Sequence, residues 1–389
     1  MTTDHGGPNH SLHNLQQTYP ELVASRKAVP DLVQFYGMEF DTPGADHSSL
    51  IIPFTHNEKD MLFTIEHRFS KKDPSTKPVR NSPTHMLAAL QHRDALPIKP
   101  VLIANHPSRT ASGSVKYGLD EPWELRDWND TAPSVAVGMA GAPGHQAAAR
   151  KRCAYRAPLH PTMGGFDQMT AVVRGFWDSM LGEGRRWWIT ANSDSHKNWR
   201  DRGEDFLPGE YSKTFVWTEK NHDDILEGIR NGRIFVTIGD LISELYVTAQ
   251  VAGVGAKASI GEALSLPSGA TVIVTIRFLD PGTKNANGDD PSVARVDLIT
   301  GDVSGTLAHP NRNADRNTST RVKRFPKADW TASGSYRTIT HLLKDVTKDG
   351  YLRVRGTNGS EPEPLKDPAG EDPWSDLWFY SNPIFLEIQ

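Results

Sequence analysis

Short apolar runs alternate with amphipathic helical segments over roughly the first 240 residues. The runs that predict strands are 32–40, 48–52, 100–104, 134–139, 186–191, 214–217 and 234–237. The segments that predict helices are 57–69, 86–90, 166–181 and 223–230. Alternation of this kind predicts an α/β layout with a mainly parallel sheet or barrel.

The pattern changes after Gly239. Runs rich in valine, isoleucine, threonine and aromatic residues occupy 271–278, 294–300, 336–342, 351–355 and 377–380, and turn-rich segments separate them. Short strands at such spacing predict an all-β, sandwich-like module. We therefore divide the chain into an α/β domain at 1–240 and a β-domain at 241–389.

Composition narrows the classes of function. The 389 residues carry a net charge of -4, which argues against a broad basic surface and predicts no nucleic-acid partner and no membrane partner. No apolar run reaches the ~18 to 20 residues that a membrane-spanning helix needs. The single cysteine excludes an internal disulfide. Residues 1–15 are polar and predict no cleavable signal, so the cellular location of the protein stays unknown. The composition does not indicate an oligomeric state.

Five short segments carry side chains that can bind metal ions, and four of them end a predicted strand or lie just past one. The segments are Thr3-Asp4-His5-Gly6, Gly37-Met38-Glu39-Phe40, Asp46-His47, Asn105-His106-Pro107-Ser108-Arg109 and Asn192-Ser193-Asp194-Ser195-His196. Taken singly, each fits a structural or solvated role. Taken together, they are significant because ligands gather at the C-terminal strand ends of parallel α/β folds. Imidazoles with carboxylates suit Zn²⁺, Mn²⁺ or Fe²⁺.

Two of these segments carry a local argument. Asp194 and His196 are two residues apart after a strand, so extended backbone would turn both to the same side. Glu39 closes an apolar run, where a carboxylate is costly unless it is paired or bound to a metal ion.

The order of the motifs resembles the polymerase and histidinol phosphatase (PHP) superfamily. Residues 177–184 and 226–239 are also similar to members, and the resemblance covers about residues 1–240. Residues 378–384 resemble the end of a β-domain that is attached to some exported members. The resemblance implies a distorted (β/α)7-type barrel that holds two or three divalent ions, zinc, manganese or iron, and hydrolyses small phosphorylated substrates. Carried over by motif, the implied metal ligands are His5, Glu39, His47, His106, Asp194 and His196.

The chain differs from the superfamily at its start. Members open with a strand that carries His-x-His, whereas here Met1 stands two residues before the Thr-Asp-His-Gly segment. This predicts an N-terminally truncated barrel with incomplete metal sites. If the true N-terminus lies upstream, an export signal could lie there too. His10 and His13 are the alternative source of the absent ligands.

The predicted mechanism uses a water molecule activated by the metal ions. Glu39 would bridge two ions, and Asp194 would orient the nucleophile. Arg109 would hold the phosphate oxygens, and His145 would donate a proton to the leaving group or bind a metal ion. Two alternatives stay open: an amidohydrolase-like enzyme, and a non-catalytic metal-binding or ligand-binding relic.

Overall fold

The computed structural model describes residues 4–73, 80–112, 117–144, 161–195, 206–308, 311–368 and 370–389. Its α-helices are α1 (His10–His13), α2 (Tyr19–Ala28), α3 (Glu58–Phe69), α4 (Pro83–Asp94), α5 (Pro122–Thr131), α6 (Gln168–Ala171), α7 (Phe176–Gly182) and α8 (His222–Arg230). A π-helical segment, Asn14–Thr18, joins α1 to α2. Among the described residues no helix is both long enough and apolar enough to cross a membrane.

The strands of the first 240 residues are β1 (Asp4–His5), β2 (Tyr36–Asp41), β3 (His47–Ile52), β4 (Val101–Ala104), β5 (Ala136–Ala142), β6 (Trp188–Ala191), β7 (Ser212–Val216) and β8 (Ile234–Ile238). The later strands are β9 (Glu244–Val251), β10 (Lys257–Ser259), β11 (Ala263–Leu266), β12 (Ala270–Leu279), β13 (Arg295–Asp302), β14 (Arg321–Pro326), β15 (Thr331–Ser333), β16 (Tyr336–Val346), β17 (Gly350–Thr357), β18 (Trp378–Ser381) and β19 (Ile384–Ile388).

The first sheet has the order β1-β2-β3-β4-β5-β6 and mixes two strand directions. β1 pairs with β2 in parallel, and β4, β5 and β6 also run parallel. β3 is antiparallel to both β2 and β4. Only residues 42–46 join β2 to β3, and so short a link permits a hairpin but not the crossover that parallel neighbours need.

The predicted (β/α)7 barrel is wrong. Over the described residues the protein is sheet-rich, with one mixed sheet, two mostly antiparallel sheets and no closed barrel. The first sheet stays open, because β1 and β6 form its two edges and do not pair with each other. Strands β7 and β8, which the barrel would have needed, pair with each other, and β8 pairs on its other side with β18 from later in the chain. The hairpin at β2 and β3 is the physical reason, since it replaces a helical crossover with a reversal of direction.

The other two sheets contain the remaining strands. One is a five-stranded sheet, β10-β9-β12-β16-β15, and the other has the order β11-β19-β17-β18-β8-β7, with β13 and β14 attached beside β17. The ring of Phe278 in β12 of the five-stranded sheet lies 6.1 Å from the ring of Phe379 in β18 of the larger sheet, so apolar faces of these two sheets meet. Because β7 and β8 precede residue 240, the larger sheet includes strands from both sides of that position. The division at 240 stays a prediction.

The long helix predicted at 166–181 is interrupted. α6 ends at Ala171 and α7 begins at Phe176. Between them Arg174 has φ 65°, a left-handed conformation that ends a regular helix. Gly175 then passes close to the preceding turn, where a Cβ would lie 2.6 Å from the carbonyl oxygen of Val172. Apolar periodicity continues across this break, which is why the sequence pattern did not reveal it.

Polar contacts connect the first sheet to the later strands. Asn382 lies just after β18, and its side-chain oxygen accepts a hydrogen bond of 2.9 Å from the backbone nitrogen of Ile189 in β6. Asp178 of α7 and Arg353 of β17 form an ion pair in which neither side chain is exposed to solvent. These contacts hold the open edge of the first sheet against the β-rich part of the chain.

Candidate metal centre

The register of the first three strands gathers imidazoles and carboxylates on one face of the sheet. Glu39 and Asp41 are two residues apart in β2, so both side chains point to the same face. His5 of β1 lies opposite Glu39, and His47 of β3 lies opposite Asp41. His106 approaches from the loop that follows β4. Local strand geometry therefore places donors from four separate segments together.

Glu39, His47 and His106 form the most buried group. Glu39 Oε1 lies 3.4 Å from His47 Nδ1 and 3.3 Å from His106 Nε2. Each of the three residues offers a ligand atom, these atoms all lie within 4.8 Å of one another, and all three residues are buried. One carboxylate and two imidazoles at this spacing could hold a metal ion of the Zn²⁺, Mn²⁺ or Fe²⁺ type. The number of ions and their identity stay predictions.

A second group shares His47 with the first. It consists of exposed His5, buried Asp41 and His47, again with ligand atoms within 4.8 Å. The rings of His5 and His47 meet edge to face, with centroids 4.4 Å apart. Asp41 Oδ1 lies 3.4 Å from His47 Nε2 and 2.6 Å from the ammonium nitrogen of Lys72. The carboxylate of this group therefore already has a cationic partner, the ammonium of Lys72.

Asp46 and Arg109 border the first group. Arg109 donates through Nε to Asp46 Oδ2 at 3.1 Å and through Nη2 to Asp46 Oδ1 at 2.8 Å. Asp46 also lies 3.4 Å from His47 Nδ1 and 3.5 Å from His106 Nδ1. The bidentate pair fixes the plane of the guanidinium beside the two imidazoles.

The electrostatics of the centre shift the pKa of Glu39 and the pKa of His47. Burial acts to raise the pKa of Glu39, but the hydrogen bond and charge of His106, with His47 and Asn105, outweigh it and hold that pKa below its usual range. Burial lowers the pKa of His47, even though Asp41 and Glu39 oppose the change. An ionised carboxylate and a neutral imidazole are the forms that coordinate metal ions.

Asn105 holds the loop after β4 in place. Its side-chain oxygen accepts hydrogen bonds from the backbone nitrogen and hydroxyl of Ser49 and from the amide of Asn192. Its Nδ2 donates to Glu39 Oε1 at 3.1 Å. The next residue, His106, has φ 31°, an uncommon backbone conformation for a residue other than glycine. Such strain is typical of functional sites, because the surrounding contacts must hold it in place.

The structure brings together most of the predicted ligands that it describes. Glu39, His47 and His106 form one group, and His5 adjoins it through His47. Asp194 lies two residues beyond Asn192, whose side chain contacts the centre through Asn105, and it has φ 48°. The remaining predicted site residues, His145 and His196, lie outside the described residues.

Two acidic residues of the centre were not predicted as site residues. Asp41 lies just beyond the apolar run that ends at Phe40, so the strand appeared to finish before it. The two-residue spacing from Glu39 is the signal that could have found it. Asp46 was noted beside His47, but its contact with Arg109 joins positions 63 residues apart and leaves no local signal.

No family model matches the chain, and no curated protein matches it either.

Proposed function

We propose that the chain binds a divalent metal ion through Glu39, His47 and His106 and hydrolyses phosphate esters there. The observation that carries the proposal is the convergence of three buried ligand atoms within 4.8 Å of one another. These residues come from β2, β3 and the loop after β4, so folding alone brings them together. A cluster without a bound cation would leave a buried carboxylate facing two imidazoles, an arrangement that a metal ion stabilises.

The donor set fits such an ion, and each residue has a distinct part. The ion would supply Lewis-acid activation of water and of a phosphoryl oxygen. Glu39 would contribute the negative charge, and the rings of His47 and His106 would each contribute a nitrogen lone pair. Arg109 is a cationic side chain beside the ligands, which suits a phosphate oxygen better than a neutral amide oxygen. The order of the motifs, which is similar to that of the PHP superfamily, also favours phosphate esters. The proposal does not depend on a barrel.

The first experiment measures bound metal. The full chain is purified without chelators, and its metal content is determined by emission spectroscopy before and after dialysis against EDTA. We expect zinc, manganese or iron in a fixed ratio to protein, removed by EDTA and restored by adding the metal salt. No bound metal, and none after adding Mn²⁺, Zn²⁺ or Fe²⁺, would refute the metal centre.

The second experiment tests the bond that is cleaved. Phosphomonoesters, phosphodiesters and amides are offered to the metal-loaded chain, and we expect turnover of a phosphate ester that EDTA abolishes. Turnover of amides alone would instead support the amidohydrolase alternative. Bound metal with no turnover of any class would support the non-catalytic relic.

Matched variants connect both measurements to the cluster. Glu39→Gln keeps the shape of the side chain but removes the charge, so we expect loss of both metal and turnover. Glu21→Gln makes the same chemical change on the exposed surface of α2 and is expected to leave both intact. Equal behaviour of the two variants would exclude Glu39 as a ligand.

A further inference from the structure

We infer that the centre takes one ion, held by Glu39, His47 and His106, and that Asp41 is a positioning residue for His47 rather than a ligand of a second ion. The inference rests on the proposed function, since it concerns the same centre. Of the two groups that share His47, only the group with Glu39 and His106 would bind an ion. Two independent observations support this, one on the imidazole of His47 and one on the neighbouring Lys72.

The imidazole of His47 faces the two groups with different nitrogens. Nδ1 lies 3.4 Å from Glu39 Oε1, and Nε2 lies 3.4 Å from Asp41 Oδ1. A neutral imidazole has one lone pair and one N–H, so it can coordinate through only one nitrogen. Filling both groups would require the ring to lose its second proton as well.

The neighbours of His47 indicate which nitrogen would coordinate an ion. Nδ1 lies 3.4 Å from Glu39 Oε1, from Asp46 Oδ1 and from Arg109 Nη2, and Asp46 is already paired with that guanidinium. Nε2 faces Asp41, whose carboxylate can only accept. An ion held between Glu39 and His106 would therefore use the lone pair of Nδ1 and leave the N–H of Nε2 directed at Asp41. A histidine that binds a metal ion commonly donates its other ring N–H to a carboxylate in this way, which fixes the tautomer and the ring orientation.

Lys72 supplies the second reason. Its ammonium nitrogen lies 2.6 Å from Asp41 Oδ1, and the Asp41 side chain is fully buried. A second divalent ion at Asp41 would have to displace the ammonium or bind beside it against like-charge repulsion. Gly6 also closes the far side of the carboxylate, because a Cβ there would lie only 2.2 Å from Asp41 Oδ2. The ammonium of Lys72 thus neutralises the charge of Asp41 in place of a second metal ion.

The balance of charge agrees with a single ion. Asp41 pairs with Lys72, and Asp46 pairs with Arg109. Glu39 is the carboxylate of the two groups that has no lysine or arginine partner among the described residues, and its contacts are with Asn105 and the imidazoles. The uncompensated negative charge therefore lies in the first group.

The test measures how many ions bind and how tightly. Zn²⁺ and Mn²⁺ are the probes, with stoichiometry from emission spectroscopy and affinity from competition with a chromophoric chelator. We expect one ion per chain in the wild type and in Asp41→Asn, whose amide oxygen can still accept from Nε2. The loss of charge is expected to weaken binding about 10- to 100-fold in that variant. Asp60→Asn, the same change at an exposed position of α3, is the matched control and should bind as the wild type does.

A spectroscopic readout separates positioning from a general structural role. In the Zn²⁺-loaded wild type we expect a slowly exchanging imidazole N–H proton signal from His47 in the nuclear magnetic resonance spectrum, absent from His47→Gln. The signal should move upfield in Asp41→Asn, because the charged acceptor is gone. A zinc-loaded protein without this N–H signal would overturn the inference.

The remaining outcomes separate this inference from the proposed function. Two ions in the wild type, falling to one in Asp41→Asn, would overturn the inference and leave the metal centre standing. Unchanged affinity in Asp41→Asn would overturn the positioning role. Absence of any bound ion in the wild type would remove the proposed function itself. If Asp41→Asn does not fold, the wild-type stoichiometry still decides, because two ions contradict the inference.

Discussion

Replacing Asp178 with asparagine should destabilise the whole protein. Arg353 donates to Asp178 through Nε at 2.9 Å and through Nη2 at 3.0 Å, and neither side chain is exposed. The backbone nitrogen of Arg174 also donates to Asp178, at 2.7 Å. The guanidinium of Arg353 lies 4.5 Å from the ring of Trp177, which can supply only part of the lost compensation. The substitution keeps the shape of the side chain but leaves a buried cation without its counter-ion.

The expected magnitude follows from this burial. Breaking a buried ion pair by removing one partner lowers the free energy of unfolding by about 3–5 kcal/mol. Two charge-assisted hydrogen bonds at about 1.5–3 kcal/mol each give a similar figure. Because native proteins are stable by only about 5–15 kcal/mol, the variant should lose about a fifth or more of its stability. Replacing both partners with apolar residues, Asp178→Leu with Arg353→Met, should be milder than the single change, since no charge is stranded.

Urea unfolding followed by tryptophan fluorescence and by circular dichroism measures these differences. Arg186→Gln is the control, because its pair with Glu387 is 39% and 51% exposed and should contribute less than about 1 kcal/mol. A decrease below 1 kcal/mol for Asp178→Asn would refute the reasoning. A double variant less stable than the single variant would show that the ion pair stabilises the fold on balance.

Three further predictions concern other parts of the structure. Burial, with nearby acidic groups, raises the pKa of half-buried Glu371 to about 8. Because folding favours the protonated form, the stability that Glu371 contributes is fully present below its ordinary pKa of 4.5 and is lost as the pH rises through 8. Glu371→Gln should therefore match the wild type near pH 4 and exceed its stability by about 1 kcal/mol at pH 9 in thermal unfolding, after discounting for solvent screening. Ser82→Ala should reduce the free energy of unfolding by about 1 kcal/mol, because Ser82 caps α4 by accepting a hydrogen bond from the backbone nitrogen of His85. Ser82→Thr, which keeps the hydroxyl, is the control, and unchanged stability in Ser82→Ala would exclude the cap. Asn382→Ala should lower the free energy of unfolding, measured in urea, by about 2 kcal/mol, because the substitution leaves the backbone nitrogen of buried Ile189 unpaired. Unchanged stability in this variant would contradict the prediction.

The apolar runs predicted where strands lie better than how the strands connect. The run at 100–104 corresponds to β4, at Val101–Ala104, and the run at 234–237 corresponds to β8, at Ile234–Ile238. Strand direction depends on the link between strands and on the partner that each strand finds. The five residues between β2 and β3 force a reversal that the alternation of strand and helix did not indicate.

In the candidate site, too, the sequence predicted individual residues better than the contacts between them. Glu39 and His106 were predicted because each lies at the end of an apolar run or just beyond it, where a polar side chain needs a local reason. His47 precedes the run at 48–52 and was predicted from the resemblance of the motif order. The pairing of Arg109 with Asp46 and of Lys72 with Asp41 could not be predicted, because these contacts depend on the register of β2, β3 and the loop after β4. Sequence indicates which groups can bind a metal ion, and register decides which of them are neutralised by a neighbour.

Arg109 shows how the predicted role and the observed contact fit together. The guanidinium has five N–H donors, and the pair with Asp46 uses Nε and Nη2. Nη1 has no hydrogen-bond partner among the described residues, and the side chain is 22% exposed. An arginine fixed on one edge by a carboxylate loses less conformational freedom when its other edge binds a phosphate oxygen. Asp46 therefore does not compete with the proposed phosphate contact of Arg109; it holds the guanidinium beside His47, where such a contact would be made.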